Sequence, residues 1–349
     1  MSFDFSQLQC PVIQAPMAGG INTPALAAAV ANAGGVGSFG FAYSSPEKIS
    51  ADLRATQALT AGPLNANFFV FQPVALPDAA QQAAALAAFT ALGLPEDCVL
   101  RVPQAPFYPD LDSLLVPVWQ HRPAMLTFHF GIPPASVLQQ AKALGIAVGI
   151  TATSLAEATQ IEAAGADFIV AQGIEAGGHR GTFEPEGDAD TDWPLDTLLS
   201  VLTAHCRLPI VAAGAVMDGD DMHRVLRLGA VAAQMGTAFL CCDESGASPA
   251  HQAFIRHEHA RGTAFTRGFS GRRAQGIANQ FMTALHGQTT LPFPIQNTLT
   301  GPIRQRAVQR NDGEHQSLWA GTAYRQAQAL PAAVLMQHWS EQLQACRRV

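Results

Sequence analysis

The chain has 349 residues, 48% of them apolar and 13% charged, with a formal net charge of −7. That length accommodates two average domains or one barrel-sized domain with additions, and the apolar share fills a large core. Sparse charge without a Lys/Arg stripe argues against nucleic acid as a partner, and no uncharged apolar run reaches membrane length. The N-terminus, Met1-Ser-Phe-Asp-Phe-Ser6, is polar and lacks an apolar signal core. The six cysteines (10, 98, 206, 241, 242 and 346) contain no CxxC pair and read as reduced thiols of a cytosolic protein. The basic pairs Arg272-Arg273 and Arg347-Arg348 read as facing solvent.

The first predicted strand is Pro11–Met17, ending at Ala18-Gly19-Gly20. Thr23-Pro24 then opens a helix, with Thr as N-cap and Pro in the first turn, and Gly34-Gly35 closes it. Val36–Phe41 is a second strand, Ser45-Pro46-Glu47 starts a second helix, and Leu64–Val70 is a third strand. The repeat of strand, short loop and helix implies parallel strands with right-handed crossovers. Residues 71–112, proline-rich and with an Ala/Gln-rich helix near Asp78–Leu92, read as an insertion. The repeat resumes with a helix at Leu111–His121 and strands at Met125–Phe130, Ala147–Thr151 and Phe168–Gln172. Two more strands follow, Pro209–Ala213 and Val231–Met235, with a helix at Asp218–Leu228 between them. Eight such units predict a (β/α)8 barrel, with a doubly wound sheet as the alternative. No GxGxxG follows the first strand, so a Rossmann dinucleotide site is not indicated. The chain divides into a barrel (1–70 and 113–260), a smaller, mostly helical region over its mouth (71–112 and 261–330) and a C-terminal helix (331–349). Amphipathic helical stretches are expected at Gly276–Leu285 and Pro331–Cys346.

The chemistry gathers at Gly173-Ile-Glu-Ala-Gly177-Gly178-His179-Arg180-Gly181, after the sixth strand. Four glycines in nine residues disfavour regular structure and bring backbone close to a ligand. His179 stands among them, with an unperturbed pKa that allows charge or proton exchange at neutral pH. His129, in the fourth strand, is either a satisfied core histidine or a mouth-facing one. Gly214 ends the seventh strand and Gly236-Thr237 ends the eighth, where barrels bind phosphate on bare backbone N–H groups. Met17, Asn67 and Gln172 stand at other strand ends; the amides either brace neighbouring loops or meet the edge of a planar heteroaromatic ligand. The remaining histidines (205, 223, 251, 257, 259 and 286 among them) read as surface, and His257-x-His259 lacks a third metal ligand.

With these residues in view, the chain resembles the class I nitronate monooxygenases. PVIQAPMAGGINTPALAAAVANA (Pro11–Ala33) is similar to that family's first motif. TFHFGIP (Thr127–Pro133) and AQGIEAGGHRGTF (Ala171–Phe183) are similar to the second and third. PIVAAGAVMDG (Pro209–Gly219) with AAQMGTAFL (Ala232–Leu240) is similar to the fourth, and TRGFSGRRAQGIANQF (Thr266–Phe281) to its C-terminal stretch. The resemblance implies a TIM barrel holding FMN non-covalently and oxidising alkyl nitronates, propionate 3-nitronate among them, with O2 to a carbonyl compound and nitrite, in detoxification. It implies that Pro16 and Met17 lie against the flavin ring. Asn67, Gln172, Gly177 and Gly178 would contact the flavin, and Gly214, Gln234, Met235, Gly236 and Thr237 would hold its phosphate end. His179 would be the active-site histidine and His129 would line the substrate pocket. Expected partners are a small nitronate and O2, without nucleic acid or membrane, in a cytoplasmic monomer or weak homodimer. Two departures stand out. Ala215 replaces a glycine common in the fourth motif, and Arg304 or Arg306 stands in for a lysine beside Phe293 and Leu299. The competing readings are an NADH:quinone or enoyl-thioester reductase on a related FMN barrel, and a flavin-storing barrel without turnover.

Overall fold

Short runs of buried residues become parallel strands: β1 (Val12–Gln14), β2 (Gly37–Gly40), β3 (Leu64–Phe69), β4 (Met125–His129), β5 (Ala147–Ala152) and β6 (Phe168–Gln172). A two-residue strand, β7 (Gly178–His179), comes next, so the expected seventh and eighth barrel strands are β8 (Ile210–Ala213) and β9 (Ala232–Met235). In this computed structural model, which describes residues 3–94, 98–184 and 190–348, the eight longer strands form one sheet in the order β1-β9-β8-β6-β5-β4-β3-β2. A parallel bridge between Ile13 and Val36 joins its two ends and closes the (β/α)8 barrel. Residues 95–97 of the expected insertion lie outside the described residues.

The helices begin where the sequence marks them. Thr23 Oγ1 accepts from the Leu26 N–H at 3.0 Å, with Pro24 at the first helical position of Pro24–Asn32. Ser45, Ser154 and Asp218 cap the Pro46–Gln57, Leu155–Ala164 and Gly219–Arg227 helices in the same way. In the insertion, Asp78 and Gln81 form a reciprocal capping box ahead of Ala79–Ala88.

Strand alternation decides what faces the barrel axis. Low in the barrel, Ile13, Met125, Phe168, Val211 and Ala232 pack in one apolar cluster, and the N-terminal Phe3, Phe5 and Leu8 plug that end. Two or four residues further along β4, β6 and β9, the same faces turn polar: Thr127 and His129 on β4, Gln172 on β6 and Gln234 on β9. The opposite faces, with Phe39, Phe68, Phe128 and Ile169, pack outward against the helices in the main core.

The C-terminal helix Ala332–Cys346 buries Leu335, Met336, Trp339 and Leu343 in that same core, against the Gly219–Arg227 and Pro24–Asn32 helices. It thus occupies the outer-ring position that follows the eighth barrel strand. Between β9 and this helix the chain crosses the mouth. There it carries helices at Pro249–His257, Gln280–Ala284, Ile295–Leu299 and Gly301–Gln309, together with a hairpin that the sequence reading missed. The hairpin is β10 (Thr263–Thr266) and β11 (Ala274–Ile277), so the expected helical stretch from Gly276 starts as a strand and turns helical only at Gln280. β11 also pairs with β7, Ala274 opposite His179 and Gln275 opposite Gly178. The glycine loop, expected to lack regular structure, is therefore partly a strand. Among the described residues, no helix is long and apolar enough to cross a membrane.

Candidate active site

The carboxyl ends of the barrel strands open into a cavity of about 750 Å3, within the ~300–1,000 Å3 range of small-molecule sites. Of the residues singled out from sequence, Pro16, Met17, Asn67, His129, Gln172, Gly177, Gly178, His179, Gly214, Gln234, Gly236 and Thr237 all line it. Met235 does not. Strand alternation turns its side chain outward into the main core, and its carbonyl accepts from the Ala15 N–H at 2.8 Å. A groove of about 890 Å3 at the opposite end of the barrel runs past Phe3, Gln7 and Arg122 and exposes no imidazole or thiol.

His129 ends β4 in the mouth. Its Nε2 donates to the His179 backbone carbonyl at 3.1 Å, and Gln172 Nε2 donates to the same oxygen at 2.9 Å. Gln172 Oε1 accepts from the Gly181 N–H at 2.8 Å. Of the two roles open to this strand-end amide, it takes the bracing one. Asn67 Nδ2 donates to Thr127 Oγ1 at 3.0 Å, and Thr127 passes its own proton to Asn65 Oδ1 at 3.0 Å. A Cβ on Gly181 would stand 2.8 Å from His129 Cε1, so only glycine lets the loop lie flat on that ring.

His179 sits in a cage. Phe69, Phe130, Phe293 and Trp319 surround it with ring centroids 5.6–6.0 Å away. Its Nε2 lies 2.9 Å from Ser270 Oγ. Ser270 donates its one proton to the Arg272 carbonyl at 3.1 Å, which assigns the imidazole proton to Nε2 and leaves Nδ1 with a lone pair. Burial pushes His179 down to about 3, helped by His129 and by the Arg272 and Arg304 guanidiniums. Burial likewise takes His129 to about 3, against the lift from the His179 carbonyl that it donates to. The cationic state that His179's ordinary pKa allows is thus disfavoured, and the loop presents a neutral imidazole. A bound anion would raise its pKa again.

Two basic residues differ from expectation. Arg272 is buried, not solvent-facing, and its guanidinium lies 3.9 Å from the centre of the Phe130 ring. Of the two arginines considered for an anion, Arg304 lines the cavity and Arg306 does not. Arg304 donates to Thr300 Oγ1 at 3.3 Å and to Asn297 at its carbonyl (2.5 Å) and Oδ1 (3.1 Å). His251, expected at the surface, is only 4% exposed, and its Nε2 is buried without a hydrogen-bond partner. Phe69, Ser270 and Trp319 carried no signal of a site in sequence, and Phe293 stood out only as a departure beside the arginines. Phe69 looks like any apolar strand residue, and Ser270 and Trp319 reach His179 from about 90 and 140 residues further along the chain.

In the turn after β8, Ala215 adopts a left-handed φ of +46°, a conformation that glycine adopts without cost. Thr237 Oγ1 accepts from the Gly321 N–H at 3.0 Å and keeps its own proton to donate. A Cβ on Gly236 would project to 3.0 Å from Ala15 Cβ and 3.6 Å from Met17 Sδ.

The family model for nitronate monooxygenase matches residues 2–341. A nitronate monooxygenase of Pseudomonas aeruginosa is 42% identical over 344 residues, covering 96% of this chain and 97% of the relative. One of Paraburkholderia phytofirmans is 41% identical, covering 95% and 92%. Among solved structures, nitroalkane oxidase from Streptomyces ansochromogenes superposes with a TM-score of 0.91 at 35% identity, covering 99% of this chain and 98% of the other. FabK from Thermotoga maritima shares the fold with a TM-score of 0.76 at 23% identity, covering 99% and 96%.

Proposed function

The chain belongs to the nitronate monooxygenase family of flavin-dependent oxidoreductases, its reaction is the oxidation of nitronates, and we propose that it runs on FMN held in the barrel mouth. The observation that carries this reading is the shared cavity. The Gly214 and Gly236-Thr237 turns and the caged His179 open into one space of flavin-binding size. Met17 and Pro16 lie against the ring. Asn67, Gly177 and Gly178 meet its edge. Gly214, Gln234, Gly236 and Thr237 hold the phosphate, with the Thr237 hydroxyl free to donate to it. Of Met235, only the backbone is left for this role. The flavin supplies the electron acceptance that no side chain here offers. The segments 71–112 and 261–330 act as the lid over this site, and the enzyme works as a cytoplasmic monomer or weak homodimer.

Propionate 3-nitronate is the substrate we favour, in detoxification. Its nitronate end sits by His179 and its carboxylate pairs with Arg304, the cavity-lining guanidinium whose charge reaches His179. Removing a charged hydrogen bond costs about 1.5–3 kcal/mol. Arg304→Met should therefore lower kcat/KM on propionate 3-nitronate about 10- to 100-fold and leave ethyl nitronate nearly unchanged. For the cofactor, heat release and chromatography of the bound flavin should give FMN; an adenine-containing flavin would refute the phosphate site. Gly236→Val should lose most bound flavin while the fold survives. NADH consumption in place of nitronate-dependent O2 uptake would favour the reductase reading.

A further inference from the structure

Arg180, next to the active-site histidine, is the largest fully buried side chain among the described residues. It does not line the cavity. Its Nε and Nη2 donate to the Asp190 carboxylate at 2.8 and 2.7 Å. Its Nη1 donates to the Gln172 and Gly173 carbonyls, both at 2.9 Å. Its backbone N–H donates to the Arg273 carbonyl at 2.9 Å, and Arg273 Nη1 also reaches Asp190, at 3.2 Å. The Asp190 side chain is 1% exposed.

These bonds form a chain that ends on the active site. Asp190 fixes the guanidinium plane. The guanidinium fixes the backbone at the end of β6, at the Gln172 and Gly173 carbonyls. Gln172 in turn holds the His179 carbonyl from one side while His129 holds it from the other. We infer that Asp190 is a positioning residue for His179, acting through Arg180 and Gln172. The inference rests on the reading of His179 as the imidazole that meets the substrate.

A buried ion pair is weak support for stability, because apolar replacements of similar volume are often as stable. A planar fork that serves a carboxylate and two carbonyls at once does what apolar side chains cannot, which is to set direction. Reacting groups need that direction, since a displacement of about 1 Å can cost ~100-fold in rate.

The test uses the flavin-loaded enzyme and two mild variants, Asp190→Asn and Arg180→Lys, with His179→Asn beside them. Asparagine keeps the shape of the carboxylate without its charge or second acceptor. Lysine keeps the charge without the fork. Each should retain wild-type flavin content and visible spectrum, with kcat on nitroethane at least tenfold lower at a KM within threefold, and with ethyl nitronate oxidation lowered no further than in His179→Asn. Because two different variants are used, failure of one to fold leaves the other to decide. The inference is overturned if kcat of the folded variants stays within twofold of wild type. It is equally overturned if every loss of kcat comes with a matching loss of flavin, the mark of general collapse of the site. If His179→Asn itself keeps full activity, the role of His179 is what fails, and that result is read independently of the other two variants.

Discussion

On the proposed reading, His179 enters its chemistry as a neutral base. Its Nε2 proton is committed to Ser270, and its Nδ1 lone pair remains. A nitronate is already an anion and asks for no proton removal, whereas a neutral nitroalkane must lose its α-proton to a base, a service worth about 10²–10⁴-fold. His179→Asn should therefore keep flavin and measurable nitronate oxidation but lose activity on nitroethane. Equal loss on both substrates would make charge or shape its contribution instead. The pH dependence follows from the pKa of about 3. The base form exists above that value and is lost only as pH falls through it. On nitroethane, kcat/KM should thus stay level from pH 8 to pH 5; a drop centred near the ordinary imidazole pKa of ~6.5 would contradict a buried base. The residues of the mouth were legible in the sequence wherever a polar side chain interrupts an apolar strand at its end, as His129 and Gln172 do. The cage was not, because a phenylalanine beside a ligand and a phenylalanine in a core look alike. His251 misled for the opposite reason. It lies on a short helix of mixed polarity, and its ring is held by the Trp319 backbone, which no local pattern brings there.

At the level of elements, the barrel strands and helix starts were readable because buried runs, N-caps and glycine stops agree with one another. The β10–β11 hairpin was not readable, since Thr263–Thr266 and Ala274–Ile277 are four residues each and alternate only weakly. They are strands because β7 and the loop at Trp319 supply partners. The turn after β8 carries a local conflict. Ala215 holds a φ of +46°, where a side chain costs about 1–2 kcal/mol. Glycine gives back part of that as unfolded-state entropy. Ala215→Gly should raise Tm by about 1–2 °C in thermal unfolding, and a fall would mean that the methyl group does more than strain the turn. The C-terminal helix, expected as a separate terminal element, packs as part of the barrel's outer ring. Trp339 is 2% exposed and meets Phe239 edge-on at 5.2 Å. It also lies on the helix that a Cβ on Gly219 would strike. Trp339→Ala should cost about 3–5 kcal/mol in denaturant unfolding; a loss under about 1 kcal/mol would show that the helix is an appendage.

For the molecule as a whole, the buried imidazoles couple stability to pH. Burial holds His129 and His179 at about 3 and His251 at about 4, while the unfolded chain protonates each near 6.5. A depressed folded pKa means that the unfolded state binds more protons below 6.5. The stability these groups allow is therefore complete above that pH. It is lost as pH falls from about 6.5 toward 4 and then 3, where the folded protein begins to take up the same protons. At pH 5 each imidazole accounts for roughly 2 kcal/mol of the loss, about 6 kcal/mol for the three. Depressed carboxylates such as Asp190 act in a lower window, because their unfolded pKa already lies near 3.9. Denaturant unfolding at pH 8, 6 and 5 should show stability falling, with proton uptake on unfolding approaching three near pH 5. His251→Phe isolates one of the three. No step of the proposed chemistry is assigned to this cavity-lining side chain; its Nε2 has no partner to lose, while the bond between its ring and the Trp319 backbone goes with the imidazole. Between pH 8 and pH 5 the variant should lose about 2 kcal/mol less stability than wild type and take up one proton fewer on unfolding. Stability that stays flat from pH 8 to pH 5 in the wild type would show that these imidazoles reach solvent in the folded protein, and with it that the aromatic rings around His179 do not exclude water.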